Sequence, residues 1–411
     1  MKKNDIPFKS FKDAKEILDT SGVLRNTSLV YSDYFSNLMD SSIYLKPENF
    51  QRTGSFKMRG AVFAMSILSD EEKSRGVIAA SAGNHAQSLA LAAKFNKVKC
   101  TIVMPETAPK IKIENTKNYG EDFVNVITHG QNYDDAYEEA KRIGGKEGFT
   151  YVHAYDNLAV ATGQGTISFE IFEELKDVDI IIVPIGGGGL AAGISTCAKF
   201  LNPNVKIIGV EPVGAACFTY AIQKGKPERL DKVNTIADGA QIGKVGERVF
   251  DLLKENLEKD VILIEDSDLI DSFLEFIEHQ KMIVEPAGLL SIAALKKLPK
   301  ELTKGKKIVS VISGGNIDPS MVSLYIQHGL RAAERIFTFS VSLPNHPGTL
   351  GKVSDIIAKG SANILEVRHD HFVNVDKNEA AEVIITVEVA NKNMKEELVS
   401  ELRKEYSITL K

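Results

Sequence analysis

From residue 76 onward the chain alternates short apolar runs with longer amphipathic stretches. Residues 76–81, 100–104 and 123–127 are rich in Val, Ile and Ala, and the spacing predicts three short strands. Helices are predicted between and after them, at about 84–95, 109–119 and 133–142. A second alternation starts near Tyr151. It holds a helix at 165–175, a strand at 180–185 with no polar alternation, a loop at 186–189, a helix at 190–200 and a strand at 205–210. A late strand at 307–312 leads to a helix at 320–330. Uniformly apolar strands alternating with helices indicate parallel sheets covered on both faces. Ahead of the alternation lie a charged helix at 8–18 and a short strand at 43–46.

After Arg335 the pattern changes. Residues 336–343 alternate like a strand with one buried face, and 349–359 form an amphipathic helix. Strands follow at 363–373 and 381–390, a helix at 394–405 and a last strand at 406–410. That order is βαββαβ, a ferredoxin-like unit. The expected class is therefore α/β: two α/β modules over 1–335, the smaller (about 53–152) inserted in the larger, then a separate domain at 336–411. The crevice between the two modules is the natural site.

Composition narrows the function. A net charge of -5 argues against a nucleic-acid partner. The three cysteines, Cys100, Cys197 and Cys217, form no CxxC motif and point to a reducing, cytoplasmic setting. The N-terminus leads into a charged helix and not an apolar signal core. The uncharged run 180–198 carries Pro184 and four glycines, so it is not read as a membrane helix.

A lysine at a helix start and three strand-to-helix turns carry candidate chemistry. Lys57 follows Thr53-Gly54-Ser55 and precedes the apolar run 61–68, which places it in the first turn of a helix. The positive end of the helix dipole disfavours an ammonium there, so Lys57 is a candidate Schiff-base lysine as well as a plain surface lysine. Gly186-Gly187-Gly188-Gly189-Leu190 follows a buried strand and opens a helix, where bare backbone and free N–H groups can bind a phosphate. The same loop matches the dinucleotide fingerprint as Gly186-x-Gly188-x-x-Ala191, with Glu211 as a ribose-binding acid. An NAD-dependent dehydrogenase is thus a competing reading of this loop, while no lysine follows it as an ATPase would need. Ser81-Ala82-Gly83-Asn84-His85 is a second such turn, able to grip a carboxylate or simply to cap a helix. Ser313, in Ser313-Gly314-Gly315-Asn316, ends the late strand and faces the same crevice. Glu285 opens another helix and reads first as a cap. His369 and His371 share one face of a tail strand, but no further ligand pattern accompanies them, so no metal is assigned.

Ser55-Phe56-Lys57-Met58-Arg59-Gly60-Ala61, Ser81-Ala82-Gly83-Asn84-His85-Ala86-Gln87, the 186–190 loop and Ser313-Gly314-Gly315-Asn316 together resemble the threonine/serine dehydratases. These are pyridoxal-phosphate enzymes of the tryptophan-synthase-β-like fold, and the resemblance covers about residues 5–330. The tail, with Leu343-Pro344-Asn345-His346-Pro347-Gly348-Thr349-Leu350 at its first turn, looks like an ACT regulatory domain. The resemblance implies pyridoxal 5'-phosphate as cofactor, with Lys57 as its anchor and as the base at Cα. It implies that Gly186, Gly187, Gly188, Gly189 and Leu190 hold the phosphate, that Phe56 packs near the ring, and that Asn84 bonds the ring hydroxyl oxygen. Ser313 would meet the ring nitrogen, and Ser81, Ala82, Gly83, Asn84 and His85 would hold the substrate carboxylate. The implied reaction is loss of the β-hydroxyl from L-threonine, giving 2-oxobutanoate and ammonia, with L-serine as a further substrate.

Serine racemase shares the fold and most of these motifs. Where it has a second serine in the carboxylate turn this chain has Ala82, which favours elimination. Cys217 stands where the racemases carry an aspartate of an acidic metal site near Glu211 and Ala215, so a metal is not expected. By the same resemblance the tail would bind an amino-acid effector near Asn345, Pro347 and Gly348, isoleucine or valine being the expectation, in a homodimer or homotetramer.

Overall fold

The structure is a computed structural model and describes residues 5–344, 347–370 and 380–411. It divides into two units. The first holds Met1–Ser272 with Phe276–Ile317, and the second Phe273–Glu275 with Asp318–Lys411.

In the first unit a six-stranded sheet runs Val30–Tyr31, Ser42–Pro47, Lys307–Ile312, Ile180–Pro184, Lys206–Pro212, Ile262–Ile264. All pairs are parallel except the first. A four-stranded parallel sheet runs Val124–Thr128, Cys100–Met104, Val77–Ala80, Thr150–Tyr151. Ile180–Pro184 and Cys100–Met104 are buried at every residue, as their unbroken apolar runs require. Each sheet has its own core. Ile181, Val183, Ile194, Val309 and Phe11 pack in one, and Met58, Val62, Ala79, Leu89 and Ile102 in the other.

One helix went unread in the sequence. Leu158–Gly165 lies between the helix Lys57–Ser66 and the helix Gly189–Leu201. Its packing depends on missing side chains. A Cβ on Gly163 would sit 2.7 Å from the Gly60 Cα, and one on Gly193 would sit 2.1 Å from the Ala161 carbonyl oxygen. Small residues at such contacts let backbones meet, so this helix fixes the lysine helix and the glycine-loop helix relative to each other.

The second unit has a four-stranded antiparallel sheet in the order Asn363–Asp370, Ala380–Glu388, Ile336–Pro344, Ile408–Leu410. Phe339, Val341, Val383, Ile385, Val353, Ile357 and Leu402 form its core between sheet and helices. This is the expected ACT-like arrangement. Among the described residues no helix is long and apolar enough to cross a membrane.

Candidate active site

The carboxyl ends of the parallel strands deliver the three turns to one place. Val77–Ala80 ends at Ser81, Ile180–Pro184 at the glycine loop, and Lys307–Ile312 at Ser313. Between them lies a cavity of about 580 Å³ lined by Phe56, Lys57, the turn 81–85, Tyr155, Gly187, Glu285 and Ser313 among others. A smaller recess, lined by Gly186 to Leu190 with Lys57, Phe56, Tyr155 and Ser313, sits at the start of the helix Gly189–Leu201. The residues singled out in the catalytic sequence thus converge.

Lys57 is the first residue of its helix, and its Nζ donates to the Ala154 carbonyl oxygen at 2.8 Å. The Phe56 ring centroid lies 5.1 Å from the same nitrogen. Burial lowers the Lys57 pKa to about 8, against a partial opposing pull from the Glu285 charge. Desolvation in the cavity is therefore the leading cause, beyond the helix-dipole argument made from sequence.

In the glycine loop, Gly188 takes φ +97°, a conformation that favours glycine. A Cβ on Gly187 would lie 2.2 Å from the Tyr155 ring, so the loop backbone and Tyr155 share one tight layer. Tyr155 is held in turn by His153. The Nδ1 of His153 accepts from the Tyr155 and Asp156 N–H groups at 3.3 and 3.0 Å, and the two rings meet edge to face at 4.5 Å. With Nδ1 accepting twice, the neutral ring carries its proton on Nε2. Burial, the leading influence, pushes the His153 pKa down to about 4 and keeps it neutral.

In the turn 81–85, Ser81 Oγ accepts from the Gly83 N–H at 3.2 Å. A Cβ on Gly83 would meet nothing within 4 Å, so the turn borders open space. His85 is 3% exposed and its Nε2 pairs with the Val152 carbonyl oxygen at 2.9 Å. Burial pushes its pKa down to about 3, so the ring is neutral. Ser313 is 4% exposed, lines both the cavity and the recess, and its Oγ lies 3.4 Å from the Ala287 carbonyl oxygen.

Glu285 departs from its reading as a cap. It stands at the N-terminus of Pro286–Leu295, yet its side chain makes no capping bond and points into the cavity, where it accepts from Asn84 Nδ2 at 2.8 and 3.1 Å. Glu211 departs from its reading as a ribose acid. Its carboxylate accepts from the Phe218 and Thr219 N–H groups at 2.7 and 2.9 Å and from Thr219 Oγ1 at 2.6 Å. It caps the helix Cys217–Lys224, and no cluster of three metal-ligating side chains exists among the described residues.

Sequence reasoning missed Tyr155, Ala154 and the ion pair between Arg229 and Asp134. That pair is 2.6 Å long and both partners line the cavity. No spacing or motif marks these residues, because they come from irregular segments and helix ends brought together by the fold. In the tail, Gly348 takes φ +94° at the start of Thr349–Lys359, with Pro347 before it; Asn345, like His346 and His371, lies outside the described residues.

Comparison with known proteins gives a consistent picture. Residues 20–314 match the family described as pyridoxal-phosphate dependent enzyme. An L-threonine ammonia-lyase of Thermotoga maritima is 39% identical over 393 residues, covering 96% of both chains. The processed form of threonine deaminase isoform 2 from Solanum lycopersicum superposes with a TM-score of 0.72 at 36% identity, over 78% of this chain and 92% of that one. Maize serine racemase superposes with a TM-score of 0.72 at 32% identity, over 80% and 98%.

Proposed function

The chain belongs to the pyridoxal-phosphate-dependent enzyme family, and on that premise we propose that it is an L-threonine ammonia-lyase producing 2-oxobutanoate and ammonia. L-Serine would be its second substrate, giving pyruvate. The observation that carries the reading is Lys57: a desolvated amine in a cavity that also holds a glycine-loop helix start and the Ser313 hydroxyl.

These residues fit the cofactor. The recess at Gly186–Leu190 offers bare backbone and helix-start N–H groups to a phosphate. Phe56 would give the ring an apolar neighbour, Asn84 would give its oxygen a donor, and Ser313 would give its nitrogen a hydroxyl. When bound through Lys57, pyridoxal phosphate supplies an electron sink for the charge left on Cα as its proton departs. The chain supplies the rest. The turn 81–85 would hold the substrate carboxylate at the start of the helix Asn84–Asn96, where an anion is favoured. Lys57 Nζ, largely neutral only above a pH of about 8, would take the Cα proton. The Ala154 carbonyl oxygen is placed to hold that amine when it is free. A carboxylate facing the ring nitrogen would keep it protonated and strengthen the electron sink, whereas the Ser313 hydroxyl would leave it neutral, which suits prompt loss of the β-hydroxyl. Ala82 puts no second hydroxyl beside Ser81 in the turn 81–85, so the opposite-face base of the racemases would be missing and elimination would be favoured over racemisation. The test is direct. Borohydride should fix the cofactor to Lys57, and L-threonine should yield keto acid with little D-amino acid; a colourless protein that gains no visible band with added cofactor refutes the reading.

Residues 336–411 would form the regulatory domain, behind a catalytic portion at 1–335 whose smaller module spans about 53–152. Its strand Asn363–Asp370 pairs on one side only among the described residues, and Ile364, Leu365 and Val367 along it are exposed. Such an apolar edge calls for cover, and a second copy of the same chain in a homodimer or homotetramer would provide it. A branched-chain amino acid would bind near Pro347 and Gly348. Three free, buried cysteines support a cytoplasmic setting.

A further inference from the structure

Glu285 is 7% exposed and sits in room left by two glycines. A Cβ on Gly314 would lie 2.5 Å from its Oε1, and one on Gly239 would lie 3.1 Å away. Its hydrogen-bond partner, Asn84, belongs to a chain of fixed polarity. The Thr53 carbonyl oxygen can only accept, so the Asn316 group 2.7 Å from it is the amide nitrogen. That nitrogen also lies 2.8 Å from Asn84, so the Asn84 atom facing it is the oxygen. The Asn84 nitrogen is left facing Glu285. With Asn316 donating to its oxygen and Glu285 accepting from its nitrogen, the Asn84 amide is held in one orientation, its N–H side toward Glu285. Asp238 from the turn Asp238–Ala240, Lys112 from Lys110–Gly120, and Lys57 line the same cavity as Glu285 and are the charged groups acting on it.

We propose that Glu285 is a positioning residue with two separable effects: through Asn84 it fixes an amide as a donor into the cavity, and its negative charge keeps the Lys57 amine more readily protonated. The first effect rests on the reading of the cavity as a pyridoxal-phosphate site, because the donor would meet an oxygen of that ring. The second needs no cofactor. Burial holds the Glu285 carboxyl up at about 7, so its charge is present above that pH and fades below it.

Two variants divide the effects. Glu285→Gln keeps the shape and one acceptor for Asn84 but removes the charge. Glu285→Ala removes both. In cofactor-free protein, the rate at which an amine-reactive reagent labels Lys57, followed by peptide mass spectrometry from pH 6 to 10, reports its protonation. In Glu285→Gln the midpoint should fall below the wild-type value, raising labelling at pH 7.5 about threefold. That variant should retain pyridoxal phosphate on dialysis nearly as wild type does, with the pH profile of its visible band displaced. Glu285→Ala should lose the cofactor at least tenfold faster. A Gln variant whose Lys57 labels along the wild-type curve overturns the charge effect. An Ala variant that retains cofactor like wild type overturns the effect through Asn84, and should Ala fail to fold, Asn84→Ala, which cuts the same link, takes its place under the same criterion. Wild-type protein that binds no pyridoxal phosphate would refute the proposed function instead, and the labelling arm would still decide the charge effect.

Discussion

Arg59→Met should destabilise the first unit by about 3–5 kcal/mol, the range for stranding buried charges. Arg59 is 1% exposed, two residues beyond Lys57 on the same helix. Its guanidinium grips two carboxylates. Nε and Nη2 donate to Glu48 at 2.8 Å each, and Nη1 and Nη2 donate to Glu170 at 2.6 and 2.9 Å. Lys46 Nζ also bonds Glu170. Methionine fills much of the volume but leaves Glu48 without a cation, since Lys46 is bonded to Glu170. For a unit of about 300 residues, that loss corresponds to a fall of about 5–8 °C in the unfolding midpoint. Adding Glu48→Gln removes the stranded charge, so the double variant should regain about half. The assay is urea unfolding of wild type and both variants at pH 7.5, with borohydride trapping at Lys57 as a second readout. A single variant that loses less than about 1 kcal/mol, or a double variant no better than the single, refutes the reasoning.

Burial raises the Glu170 carboxyl, but Arg59 and Lys46 more than offset it and hold its pKa below the usual carboxylate range. Its contribution is therefore present above the unfolded carboxyl pKa and lost as pH falls through the native one, so the stability gap between wild type and Glu170→Gln should narrow below about pH 4.3. Lys57→Ala should abolish turnover, since loss of a positioned base alone costs roughly 10²–10⁴-fold, and should leave the cofactor unfixed by borohydride. Gly187→Ala should displace Tyr155, whose ring the new Cβ would meet at 2.2 Å, and weaken cofactor retention measured by dialysis. Deletion after Arg335 should abolish any response of activity to isoleucine or valine, and Gly348→Val, strained at φ +94°, should blunt it; an unchanged response in the truncated enzyme places the effector elsewhere.

The legible parts of the chain are those where burial imposes a periodic pattern. The runs 100–104 and 307–312 match the strands Cys100–Met104 and Lys307–Ile312, and 349–359 matches the helix Thr349–Lys359. The turns after these and similar strands were legible too, since a glycine run and a serine at strand-to-helix junctions, like a lysine at a helix start, carry chemistry in their spacing. Leu158–Gly165 was not. It is buried on nearly every side, so it shows no amphipathic stripe, and Val160, Thr162, Gly163 and Gly165 dilute its helix formers. Glu285 was misassigned because a glutamate before proline at a helix start reads as a cap. Its turn into the cavity depends on Gly239 and Gly314, which lie elsewhere in the chain.

Lys57 and Arg59 show how one short segment produces opposite electrostatic outcomes. Burial disfavours the charged form of both. Arg59 meets two carboxylates with matched geometry, and its pKa rises in spite of burial. Lys57 donates to a neutral carbonyl, with Glu285 acting on it only through its charge, and its pKa falls to about 8. The difference lies in the partners, since both side chains leave the same helix two residues apart. A carboxylate bonded directly to Lys57 would hold the amine protonated and deprive the site of its nucleophile and base. A neutral, unpaired residue in place of Arg59 would leave the helix start without its anchor to Glu48 and Glu170. The segment therefore needs a fully compensated charge beside an uncompensated one: the first fixes the helix, and the second makes the lysine reactive.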